Sequence, residues 1–97
     1  MLIRNAVIDG YPGIVDLRLM HGAVQEIGAG LKKGLYEAEM DLDGDLLSPW
    51  PKGMALPHKY RRVGAGACER IIPGSREPFA RWRQGRMIGA IGRHSAD

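Results

Sequence analysis

At 97 residues and 10.7 kDa the chain holds one domain at most, and a catalytic (β/α)8 barrel of about 250 residues does not fit in it. No segment approaches the roughly 18 consecutive apolar residues that a membrane-spanning helix needs, and the first residues lack the apolar run of a secretory signal. The single cysteine, Cys68, excludes an internal disulfide, so a cytoplasmic setting is expected.

The net charge of +3 hides a division near Ser48–Pro51. Residues 1–48 carry four Lys/Arg against eight Asp/Glu; residues 49–97 carry ten against three. Leu, Ile, Val and Phe supply 15 of the first 48 residues and only 7 of the last 49. Below about 20% of such residues, a charged segment buries too little apolar surface to offset its ordering entropy. Residues 1–48 are therefore expected to fold. Residues 49–97 are expected to form an irregular or partly disordered basic extension.

The folded part reads as strands. Met1–Ile8 is rich in branched side chains and free of Gly and Pro, and Asp9-Gly10-Tyr11-Pro12-Gly13 is turn chemistry. Ile14–Met20 alternates strictly, with Val15, Leu17 and Leu19 on one face and Asp16, Arg18 and Met20 on the other. His21-Gly22 predicts a tight turn. Ala23–Ile27 then returns as the second arm of a hairpin, with Ala23, Gln25 and Ile27 opposite Val24 and Glu26. Leu31–Leu35 reads as loop. Glu37–Leu42 is a weaker strand, Asp43-Gly44 a turn, and Asp45-Leu46-Leu47 the start of a last short strand stopped by Pro49. The expected fold is all-β, a small antiparallel sheet or sandwich. Its apolar face must be covered by residues 49–97, a second chain or a further domain.

Five pieces of this pattern resemble a known family. They are Leu2-Ile3-Arg4-Asn5-Ala6, Asp9-Gly10, Val15-Asp16-Leu17-Arg18, His21 through Gly28, and Asp41 through Pro49. In order and spacing they are similar to the N-terminal segment of the amidohydrolase superfamily, nearest to its cytosine-deaminase-like members. The resemblance covers residues 1–49. It implies a composite β-sandwich that flanks a metal-dependent barrel and is closed by strands from the chain's far end. It also implies a parent activity, the hydrolysis of C–N bonds in cyclic amidines or amides by water activated on a divalent metal such as zinc or iron.

The family's chemistry begins after Ser-Pro with a glycine and a His-x-His pair. This chain reads Pro49-Trp50-Pro51-Lys52-Gly53-Met54-Ala55-Leu56-Pro57-His58 instead. The metal motif and the barrel strands are missing. The expectation is a chain that is itself non-catalytic, with no catalytic residue, metal ligand or cofactor of its own. Two accounts of residues 49–97 stay open. Eight Arg, seven Gly, six Ala and five Pro are what a GC-rich stretch read out of frame would encode. Alternatively, the barrel is deleted and the closing hairpin kept, with Phe79–Ile91 as its arms and Gln84-Gly85 as its turn.

Other candidates have plain readings beside functional ones. His58 stands alone among Pro and Lys and reads as a loop histidine, and His21 as a turn residue. Glu37, Glu39, Asp41, Asp43 and Asp45 recur with period two and would share one strand face, solvated or cation-binding. Cys68 has no nearby His to activate it, and the glycines around it lack the ending of a phosphate loop. The basic half supplies candidate polyanion-binding residues, Lys59, Tyr60, Arg61, Arg62, Arg81, Trp82, Arg83 and Arg86, in which cations alternate with aromatics as single-stranded nucleic acid requires. The competing functions are thus a basic module for nucleic acid or an acidic partner, and a structural domain that dimerises through a sheet edge or through its acidic and basic halves.

Overall fold

The computed structural model describes residues 1–51, 70–76 and 78–91. They form seven strands: β1 Leu2–Ile8, β2 Ile14–Met20, β3 Ala23–Gly28, β4 Glu39–Asp41, β5 Leu46–Pro49, β6 Phe79–Arg83 and β7 Arg86–Ile91. One sheet holds them all, in the order β3-β2-β1-β5-β6-β7, with β4 on β1. Among the described residues there is no helix, and so none long and apolar enough to cross a membrane.

The fold is all-β, but the sheet is mixed. β4 and β5 both run parallel to β1, β4 beside Leu2–Arg4 and β5 beside Val7–Ile8. The parallel course arises because residues 29–38 cross over one face of the sheet before the chain joins β1. β4 and β5 act as one strand broken in the middle. The break, at residues 42–45, lies against a bulge in β1: Ile3 pairs with Leu17 and Ala6 with Val15, leaving one extra residue in β1. Asn5 takes φ 55° there. Its N–H donates to Asp16 Oδ1, its carbonyl accepts from Gly44 N–H, and its side-chain amide donates to Asp41 Oδ1. Asn tolerates this left-handed conformation better than a branched residue would.

The bulge restores the inward phase, so Ile3, Ala6 and Ile8 all face the core. β2 contributes Val15, Leu17 and Leu19, as its alternation predicts. β3 departs from the expected alternation. Arg18 pairs with Glu26 and Leu19 with Val24, so Gln25 is bulged out, and Val24 and Ile27 both pack on the core instead of opposing one another. Both hairpin turns are two-residue loops whose residues have positive φ: His21 54° and Gly22 77°, Gln84 51° and Gly85 76°. That is the backbone of type I′ turns, whose twist matches the strands.

The cover for the apolar face comes from residues 70–91. Leu47, Phe79 and Ile91 extend the core across β5, β6 and β7, and Ile71 enters from the segment before β6. That segment also binds the outer edge of β3. Val24 N–H donates to Ser75 O, Gly74 N–H donates to Val24 O, and Ala23 bridges to Arg76. The sheet therefore curls until residues near its two ends enclose one core.

Candidate functional site

The five acidic residues expected on one face are dispersed. Only Glu39 and Asp41 lie in β4, and the turn at residues 42–45 breaks the period of two. Glu37 accepts from Arg18 and from Gly34 N–H, which hold its carboxyl at about 2, below the ordinary 4.5. Glu39 pairs with Arg4, and Asp41 accepts from Asn5 and from Asp43 N–H, which lower its pKa. Asp45 is buried. Among the described residues no group of three or more His, Cys, Asp or Glu is placed to hold a metal ion.

A carboxylate that the sequence pattern did not single out organises the other end of the crossover. Asp16 is buried on β2; it accepts from Arg4 Nη1 at 3.0 Å and from the N–H groups of Asn5 and Leu31. Arg18, beside it, bonds Glu26, Glu37 and the carbonyl of Lys32. These contacts fasten residues 29–38 over β1 and β2. The alternation of β2 places Asp16 on the face opposite Val15, Leu17 and Leu19, but it reports only which face a side chain is on, not what crosses above it.

The candidate residues of β6 and β7 fall in two groups. Arg81 and Arg83 both reach Asp45: Arg81 Nε donates to Oδ2 at 2.7 Å, Arg83 Nε to Oδ1 at 3.0 Å and Arg83 Nη2 to Oδ2 at 2.9 Å. These bonds, Arg83 first, hold the Asp45 carboxyl at about 2, below the ordinary 3.8. Trp82 points to the opposite face by strand alternation, and its Nε1 donates to Ser48 Oγ at 2.8 Å. The cations and the ring of Arg81-Trp82-Arg83 are thus separated by the sheet. Arg86 pairs across the hairpin with Arg83 and has no carboxylate partner among the described residues. Lys59, Tyr60, Arg61 and Arg62 lie outside the described residues, as do His58, Cys68 and His94.

The outer face carries a feature that no motif announces. Ile14 pairs with Val7, Val7 with Leu46, Leu46 with Trp82 and Trp82 with Met87. Direct partners share a face, so these five form one apolar row across five strands. Ile14 is 53% exposed, and Val7 and Leu46 are each 37% exposed. Part of the row lines an open hollow of about 370 Å³, together with Asp45, Arg83 and Gly85. Local sequence could not show this row, because it depends on the register between distant strands.

No protein-family model matches the chain, and neither a curated protein nor a solved structure matches it.

Proposed function

We propose that the chain is a non-catalytic scaffold sheet related to the composite β domain of cytosine-deaminase-like amidohydrolases. One observation carries this reading. The strands formed by residues 1–49 are continued by a late hairpin, β6–β7, which pairs with β5 from Leu46↔Trp82 to Pro49↔Phe79. The resemblance implies that arrangement, a leading segment completed by strands from the far end of the chain. The pieces that resemble the family coincide with β1, the Asp9-Gly10 turn, β2, the His21-Gly22 turn with β3, and β4–β5. Phe79 and Ile91 of the hairpin supply core that the leading strands lack, so the hairpin is retained for packing.

In this reading the parent chemistry, metal-assisted hydrolysis of a C–N bond, needs about three protein ligands, and no such group is placed among the described residues. The lone cysteine suits a cytoplasmic setting. The test is a turnover assay. The full chain is incubated with zinc, iron(II) or manganese and with cytosine or a related cyclic amidine, and ammonia release is followed. The expected rate equals that of the metal alone. Release that depends on both protein and metal, and stops with a chelator, overturns the proposal.

A further inference from the structure

We infer that Asp9 is a site of backbone modification: its carboxyl closes on the Gly10 nitrogen to a succinimide that opens to isoaspartate, while the fold shields the like pair Asp43-Gly44. This inference is independent of the scaffold reading. The chain contains Asp-Gly at residues 9–10 and again at residues 43–44. Glycine places no Cβ beside the attacking nitrogen, so both pairs are chemically competent. The reaction balances with water alone. The glycine nitrogen bonds to Cγ of the aspartate and gives up its proton, and one carboxyl oxygen leaves as water. Water then opens the ring. Attack at Cγ restores aspartate; attack at the α-carbonyl leaves the chain running through Cγ, with one extra backbone carbon and a free α-carboxylate.

The two pairs differ in how firmly the nitrogen is held. Asp9, Gly10 and Asp43 are all exposed, so access to water does not separate them. Attack requires rotation about the Cα–C bond of the aspartate, which carries the glycine N–H with it. Gly44 N–H donates to Asn5 O at 2.8 Å, so that rotation breaks a bond to the β1 bulge. Asp43 N–H donates to Asp41 Oδ1 at 2.7 Å, and Asp45 N–H closes the turn on Leu42 O at 2.9 Å. Asp45 is itself fixed by Arg81 and Arg83. The Gly10 N–H, in contrast, has no acceptor among the described residues, and its turn is closed by Tyr11 N–H to Ile8 O alone, at 3.0 Å. The bonds at Asp43 and Gly44 beyond the turn closure are enough to slow that pair about tenfold or more. The extra carbon at Asp9 falls between buried Ile8 and Tyr11, which packs on the core, next to the pairing of Val7 with Ile14.

The test follows the full chain kept at neutral pH and body temperature. Isoaspartate is located by peptide mapping with electron-transfer fragmentation. Its total is counted by methyl transfer from S-adenosylmethionine with an isoaspartyl methyltransferase. It is expected at Asp9, forming about tenfold or more faster than at Asp43. In concentrated urea the two sites should react at similar rates, because the fold no longer distinguishes them. Asp9→Glu should remove the fast fraction, since a six-membered ring closes far more slowly, and Asp43→Glu should leave it. Asp9→Asn should release ammonia and reach isoaspartate faster, since a neutral amide is more open to attack than an ionised carboxylate. The comparison within the unmodified chain decides the matter if a variant fails to fold. Equal rates at the two sites of the folded chain, a faster rate at Asp43, or no isoaspartate at Asp9 would overturn the inference. So would the same ratio of rates in urea, which would assign the selectivity to sequence and not to the fold.

Discussion

Asp45 and Arg83 form a two-point ion pair across the joint between the acidic and basic parts of the chain. Arg83 Nε lies 3.0 Å from Oδ1 and Nη2 lies 2.9 Å from Oδ2. Arg81 adds a third bond to the same carboxylate. The charge asymmetry of the sequence is therefore met, at this joint, within the molecule. The pair also fixes the β6–β7 hairpin beside the turn that leads into β5. Parallel planar donors give such a pair direction as well as attraction.

The pair makes stability depend on acid. The carboxyl of Asp45 titrates near 2 when folded and 3.8 when free, and Glu37 near 2 against 4.5. Depressed carboxyls stabilise the fold fully above their free values, and that contribution is lost as pH falls through the folded ones. The urea midpoint should therefore be flat above about pH 6 and fall steadily between about pH 5 and pH 2. Asp45→Asn should lower the midpoint at neutral pH and flatten the acid slope, so that the two curves converge near pH 2. Parallel curves across the whole range would show that the ion pair does not stabilise the fold.

The interior of the hairpin gives a test of packing. Phe79 is fully buried and lies between Pro49 of β5 and Ile91 of β7. Phe79→Ala should cost about 3–5 kcal/mol in urea unfolding, the range for deleting a buried aromatic. Ile14→Ala, on the exposed row, should change stability by about 0.5 kcal/mol or less. A small cost at Phe79 would mean that β6 and β7 merely rest on the sheet.

The positions at which the sequence was legible share a physical basis. β1, β2 and the first hairpin turn follow from local chemistry: branched residues in alternation, and His21-Gly22 accepting positive φ, whereas the turn at Gln84-Gly85 is expected only from the resemblance to a closing hairpin. The bulges at Asn5 and Gln25 were hidden because they depend on a partner strand, and one extra residue reverses the faces of everything after it. The same reason hid Asp16 and Asp45. Their arginine partners, Arg4 for Asp16 and Arg81 and Arg83 for Asp45, come from other strands. The low apolar content of residues 49–97 is an average over the segment and does not locate the hairpin within it. Phe79, Ala80 and Ile91 are few, but they are concentrated where the sheet needs them.

The turn of the late hairpin offers a directional test. Gln84 and Gly85 both occupy the left-handed region, and open space surrounds Gly85. Gly85→Ala should therefore destabilise through backbone strain alone, by about 1–2 kcal/mol. Gln84→Asn creates the preferred Asn-Gly pair and should stabilise by a few tenths of a kcal/mol. Both are read from thermal or urea unfolding. The opposite order of the two effects would exclude a type I′ turn at this position.

Hydrogen exchange distinguishes a closed scaffold from one that associates through its edge. β6 has β5 on one side and β7 on the other, so its interior amides all point at a neighbouring strand. They should be protected as strongly as those of β1, and should open with it in one cooperative step. β7 is an edge. Its amides should alternate, those facing β6 protected and those facing outward exchanging fast. A bulge at Ile88, where Arg81 pairs with Gly89 and Trp82 with Met87, disrupts the ladder that a second copy would need. Alternation that persists as protein concentration rises is the expected result. Uniform protection of β7 that grows with concentration would instead show that two copies join edge to edge despite the bulge.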